Sequence, residues 1–136
     1  MRFLEYGQAP LPAKVLIVDD NKDLREMWFA IFSMEGFTVI TAENGSEGYK
    51  AAQREQPDII VTDINMPELD GTNMIKRLRA HPDLRKVPIV ALSACGGQQG
   101  EEALKAGANL LMQKPVETDR LIETVKQLLR LDGKLD

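Results

Sequence analysis

Asp19, Asp20, Asp63, Ser93 and Lys114 are the residues of this 136-residue chain whose types and spacing suit chemistry. Each follows a short apolar run: "KVLIV" leads to Asp19 and Asp20, "DIIVT" to Asp63, "VPIVAL" to Ser93 and "NLLMQ" to Lys114. Three carboxylates converging on one partly buried edge would repel one another and would be costly to leave unpaired. A positive charge has to sit among them, either the Lys114 ammonium or a divalent cation. Carboxylate, carbonyl and water ligands suit Mg²⁺ or Mn²⁺, and no histidine or cysteine accompanies the three aspartates to favour zinc. Cations to neutralise charge, a hydroxyl to bind one oxygen and a carboxylate in line are what phosphoryl transfer requires. Asp63 is the best nucleophile, because its apolar run reads as the central strand, flanked by the other groups.

These side chains can meet only if the runs carrying them lie side by side. Residues 14–18, 37–42, 58–62, 87–93 and 109–113 have the length and composition of strands. Helical patterns alternate with them. In the first, Leu24, Met27, Trp28 and Ile31 recur at helical spacing, with Asp20 or Asn21 to cap the start and Gly36 to end it. Further helices are expected over 46–56, 72–79 and 99–106, and a last one after Pro115 with Leu121, Ile122, Val125, Leu128 and Leu129 on one face. Strands alternating with helices imply a parallel α/β sheet covered on both faces. Binding chemistry in such sheets collects outside the carboxyl ends of the strands, where all five residues fall.

The remaining features narrow the class. The length suits one domain with one core. A formal charge of -4 and a pI near 5.1 offer no electrostatic footprint for nucleic acid or an anionic membrane. A single cysteine, Cys95, leaves no internal disulfide framework, and no segment has the roughly 20 apolar residues of a membrane span. With no secretory h-region in the opening residues, the reading is cytoplasmic. Residues 1–13, with Pro10 and Pro12, are expected to form an extension, 14–131 the domain, and 132–136 a fraying tail.

Four segments in order, "VLIVDDN", "DIIVTDINMPELDG", "PIVALSA" and "QKPV", resemble the receiver domain of two-component response regulators, of the single-domain chemotaxis-regulator type. The resemblance covers about residues 14 to 129. It implies a doubly wound, flavodoxin-like sheet of order 2-1-3-4-5. It also implies that Asp63 accepts a phosphoryl group from a phosphohistidine on a sensor histidine kinase or phosphotransfer protein. Asp20 matches the direct Mg²⁺ ligand, with Asp19 beside it and the main-chain carbonyl of Asn65 as the third protein ligand. Lys114 matches the lysine that contacts the phosphoryl group and precedes a cis proline. Ser93 matches a switch hydroxyl, and the Ala94 amide a second donor. The implied role is a switch acting on a downstream protein target, as a monomer or a phosphorylation-dependent dimer, catalysing only its own phosphorylation and dephosphorylation. A receiver piece of a hybrid kinase or multidomain regulator, and a pseudo-receiver interaction module, are the alternatives.

This chain departs from that family in two places. The family's mobile aromatic in the fifth strand falls at Leu111, which has no polar tip. The segment "ACGGQQG" carries three glycines, so the fourth helix is expected to start late or fray. A haloacid-dehalogenase-like phosphatase would need an early Asp-x-Asp strand and a cap insertion, and flavin binding a hydroxyl- and glycine-rich loop in place of "DDNKD"; neither is present. His81 lies in a polar loop and reads as surface, and Cys95 as a small packing residue. Trp28, Phe29 and Phe32 widen the apolar side of the first helix, which core packing accounts for and a docking patch would sharpen.

Overall fold

The computed structural model describes residues 11–66, 69–94 and 98–135. Its elements alternate in the order β1 (Lys14–Val18), α1 (Lys22–Met34), β2 (Thr38–Ala42), α2 (Gly45–Glu55), β3 (Ile59–Asp63), α3 (Gly71–Ala80), β4 (Ile89–Ser93), α4 (Gln98–Ala106), β5 (Leu110–Gln113) and α5 (Thr118–Leu131). All strand pairs are parallel and the sheet order is β2-β1-β3-β4-β5, as the resemblance implies.

Strand periodicity divides the core into two layers. Successive side chains point to opposite faces. Leu16 and Val18 of β1, Ile60 of β3, and Ile89 and Ala91 of β4 therefore meet α2, α3 and α4 through Ala51, Met74, Ile75, Leu78 and Ala103. The alternate residues Val15, Ile17, Ile59, Val61, Val90 and Leu92 meet α1 and α5 through Trp28, Phe32, Leu121, Val125 and Leu129. Phe32 is fully buried and lies 6.1 Å from Trp28 and 5.8 Å from Phe37 between ring centroids. Of the three aromatics on α1, only Phe29 faces outward, at 47% exposure.

Helix starts follow short polar side chains. Asn21, Asn44 and Asp70 each accept the amide three residues on, at 3.0, 2.8 and 2.8 Å, filling a donor that the first turn leaves unpaired. Asn21, rather than Asp20, is the cap of α1. At its C-terminal end, α5 closes at Leu131 on a glycine turn. Gly133, at φ +75°, lets the Lys134 amide reach back to the Leu129 carbonyl (2.8 Å) and its own amide to Arg130 (3.1 Å), a conformation that a Cβ would disfavour. Leu135 then packs on the α1–α5 layer. The helix α4 begins at Gln98, one residue before the expected start, and the glycines at 96 and 97 lie outside the described residues.

Arg79 at the end of α3 was not singled out from its sequence context, yet it joins three connections. Its guanidinium donates to the carbonyls of Gly107 (3.0 and 2.8 Å), Val87 (2.7 Å) and Arg85 (3.1 Å) and to Asn109 Oδ1 (2.9 Å). Burial lowers its pKa from the ordinary value, and these acceptors are all neutral. Removing it strands several carbonyls at once. We expect Arg79→Ala to lower unfolding free energy by about 2–3 kcal/mol in urea titration. Arg79→Lys should recover only part of this, since an ammonium cannot reproduce the fork of donors.

Candidate functional site

Continuing the alternation beyond the buried layers places the polar groups. Asp63 closes β3 in step with Ile59 and Val61, and Asp19 follows β1 in step with Val15 and Ile17, so both belong to the α1–α5 side. Lys114 follows β5 in step with Met112, on that side too. Ser93 closes β4 in step with Ile89 and Ala91, on the side of α4.

The three aspartates meet. One carboxylate oxygen from each of Asp19, Asp20 and Asp63 lies within 4.8 Å of the others. Asp63 is 4% exposed and fully engaged: Oδ2 accepts the Lys114 ammonium at 2.8 Å and Oδ1 accepts the Asn65 amide at 3.1 Å. Thr62 donates its hydroxyl to the Asp63 carbonyl at 2.8 Å. Asp19, at 2% exposure, accepts the Asn21 amide at 2.9 Å, and Arg25 donates to its carbonyl at 2.8 Å. Asp20 is exposed. Burial raises the Asp19 pKa from its ordinary value; the Asn21 amide and the Lys114 charge work against this, while Asp63 and Asp20 add to it. The ionised form of Asp19 is thus held at a cost that a further cation would remove.

The donor set fits a hard divalent ion: three carboxylates with one paired ammonium, and no histidine or cysteine in the cluster. Asn65 stands beside Asp63 through its amide. Ser93 is 1% exposed, one residue beyond Leu92, the register partner of Asp63. Its carbonyl accepts the Lys114 amide at 2.7 Å, tying the ends of β4 and β5 together, and the Lys114–Pro115 peptide is cis. Ala94 is exposed, and Cys95 lies outside the described residues.

Two glycines shape this edge and carry no chemical signal of their own. A Cβ on Gly71 would lie 2.3 Å from the Asp63 carbonyl oxygen, so only glycine lets α3 start directly against the end of β3. The Gly71 amide donates to the Ile64 carbonyl at 2.9 Å. A Cβ on Gly100 of α4 would lie 2.5 Å from Leu111 Cδ2, so the buried glycine of the fourth helix is the recess in which Leu111 rests. Arg25 and Thr62 are residues at the site that the sequence pattern did not mark; the "DG" pair at the start of α3 signalled the turn at Gly71 but not its close approach to β3.

Comparisons with known proteins agree with this geometry. Residues 15–126 match the response regulator receiver domain. The polar-differentiation response regulator DivK of Brucella anthropi is 32% identical over 120 residues, which are 88% of this chain and 98% of DivK. The chemotaxis protein CheY4 of Vibrio cholerae superposes with a TM-score of 0.82 at 31% identity, covering 88% of this chain and 100% of CheY4. The receiver domain of sensor histidine kinase PA1611 of Pseudomonas aeruginosa, solved with a magnesium ion coordinated in its active-site cleft, superposes at 0.80 with 30% identity, over 86% of this chain and 97% of that one. With the family's fold, strand order and length all present, the chain belongs to the response regulator receiver domain family.

Proposed function

We propose that this protein is a phosphorylation switch whose acceptor is Asp63. The observation that carries the reading is the buried Asp63 carboxylate, held at 2.8 Å by Lys114 and within 4.8 Å of two further carboxylates. Asp63 attacks the phosphorus of a phosphohistidine; an O–P bond forms, the N–P bond breaks, and its electron pair returns to the imidazole. Asp19, Asp20 and the Asn65 carbonyl would hold Mg²⁺, which supplies charge neutralisation to the phosphoryl oxygens. Lys114 shifts its ammonium from the Asp63 carboxylate to a phosphoryl oxygen. The Ser93 hydroxyl and the Ala94 amide donate to the others, so that the acyl phosphate favours one of two arrangements of the α4 side.

The donor's approach has a candidate surface. An apolar cleft of about 430 Å³ lined by Leu24, Met27, Trp28, Ala94, Pro115 and Val116 opens beside Asp19 and Lys114. The exposed Phe29 adds to the same helix. A sensor histidine kinase or phosphotransfer protein fits this surface as phosphodonor, and a downstream protein target fits the opposite role. The likeness to a receiver found within a sensor histidine kinase supports a second reading, in which this domain works as part of such a kinase; the chemistry at Asp63 is the same in both. No described helix is long and apolar enough to cross a membrane, and a cytoplasmic setting follows from the proposed donors.

Incubation with acetyl phosphate and Mg²⁺ should add one phosphoryl group by intact-protein mass. Asp63→Asn and chelator should each abolish the gain, and labelling that persists in Asp63→Asn would overturn the assignment. Mg²⁺ alone at ten times its dissociation constant should stabilise the protein by about 1.4 kcal/mol. Asp20→Asn should remove that response without lowering the melting temperature of the metal-free protein, because it relieves carboxylate repulsion rather than breaking a contact. Phe29→Ala should leave acetyl phosphate labelling intact while slowing transfer from a phosphohistidine donor protein.

A further inference from the structure

Of the three clustered carboxylates Asp20 is the exposed one, and among the described residues its side chain has no hydrogen bond or ion pair. Its direction is therefore set by its backbone. That backbone is pinned on both sides. The Asp19 amide donates to the Ala42 carbonyl at 3.1 Å, which carries the pairing of β1 with β2 one residue past the strand, and the Asn21 side chain caps α1 through the Leu24 amide. Between these two anchors lies the Asp19–Asp20 peptide, and its carbonyl accepts Arg25 Nη1 at 2.8 Å.

Arg25 reaches that carbonyl from the start of α1. Its own amide donates to the Asn21 carbonyl at 2.9 Å, so the residue belongs to the turn that Asn21 opens. Its half-buried side chain lies against the end of β2, where it lines clefts of about 290 and 250 Å³ together with Thr41. Glu43 and Glu47 line the first of these clefts, yet Glu47 pairs with Lys50 at 3.6 Å, and the short bond of Arg25 goes to a neutral carbonyl. A charged donor makes such a bond stronger than a neutral one does. A positive charge beside a cation site opposes the cation, so electrostatics alone would make Arg25 unfavourable next to Asp20. What it contributes there is the orientation of a peptide.

We propose that Arg25 is a positioning residue for the cation site: by fixing the Asp19–Asp20 peptide, it holds the Asp20 carboxylate toward those of Asp19 and Asp63. The inference deepens the Mg²⁺ reading of this site and rests on it. It gives one effect a sign that simple electrostatics would reverse, since removing a positive charge beside an acidic cluster should then weaken Mg²⁺ binding. Groups that orient metal ligands from behind are typically worth roughly 10–100-fold in affinity. The lower end applies to Arg25, because Asp19 and Asp63 keep the Asn21 amide and the Lys114 ammonium as partners of their own.

Mg²⁺ titrations of the wild-type chain and of Arg25→Met, Arg25→Gln and Arg25→Lys, followed by amide chemical shifts, test this. Methionine keeps the aliphatic stem without donor or charge, glutamine is neutral and too short to make the same bond, and lysine keeps the charge and a donor. Arg25→Met should bind Mg²⁺ about 10-fold more weakly than wild type, and Arg25→Lys should recover part of the loss. In the metal-free proteins the Asp20 and Asn21 amide shifts should move in Arg25→Met, while those of Asn65 and Lys114 stay in place. Arg25→Gln carries the same expectations as Arg25→Met, so a methionine variant that fails to fold does not remove the test. A folded neutral variant that binds Mg²⁺ as tightly as wild type, or more tightly, would overturn the proposal while leaving the Mg²⁺ reading intact. A wild-type chain with no response to Mg²⁺ would overturn that reading and this inference with it.

Discussion

A carboxylate with 4% of its surface exposed survives at the end of β3 because an ammonium sits 2.8 Å away and an amide meets its second oxygen. Much of the molecule is arranged around that pair. Lys114 can reach Asp63 only because β5 follows β4 in the sheet and its backbone is tied to Ser93. Asp63 can end its strand flush with the next helix only because Gly71 has no side chain. Breaking such a pair from one side leaves an uncompensated buried charge, which costs more than the pair contributes. Asp19 shows the opposite balance: burial raises its pKa, and its amide partner and the Lys114 charge only partly offset that. One carboxylate is held ready by its neighbours, while the other is left with capacity for a cation.

The period of two in the strands gives this site a second property. Because alternate residues face opposite layers, Asp63 and Lys114 extend the α1–α5 side, whereas Ser93 and Leu111 extend the side of α4. A group bridging Asp63 and Ser93 therefore spans both layers of the domain at its rim. Parallel pairing supplies this arrangement without special loops, since all strand ends of one kind fall on one edge.

Local patterns carried most of this information. The short apolar runs, their strand-end polar residues and the capping positions each have local sequence signatures, so the element order and the members of the acidic cluster were legible. Arg79 was not, because a guanidinium on a helix reads as solvent-facing until the loop carbonyls of Arg85, Val87 and Gly107 are brought to it by tertiary folding. The contacts of the tail were not legible for a related reason. "LDGKLD" has the composition of a frayed end, yet its glycine closes α5 and its second leucine finds the core. Gly100 reads as a helix weakener in isolation; its value lies in what Leu111 needs.

Leu111 and Arg79 together constrain how the α4 side can respond to events at Ser93. The C-terminal end of α4 is fastened, since the Gly107 carbonyl accepts two bonds from Arg79, whose guanidinium also holds Asn109 at the start of β5. At the N-terminal end, what the described residues show is packing: Leu111 seated against Gly100. Hydrogen bonds to a charged donor resist displacement more than a single apolar contact does. Ala91 pairs in register with Leu111 and lies two residues before Ser93 on the same face, so what links Ser93 to α4 along this face is side-chain volume rather than a polar tip. A helix fastened at one end and seated at the other has its weaker attachment at the seated end, where Gly100 meets Leu111.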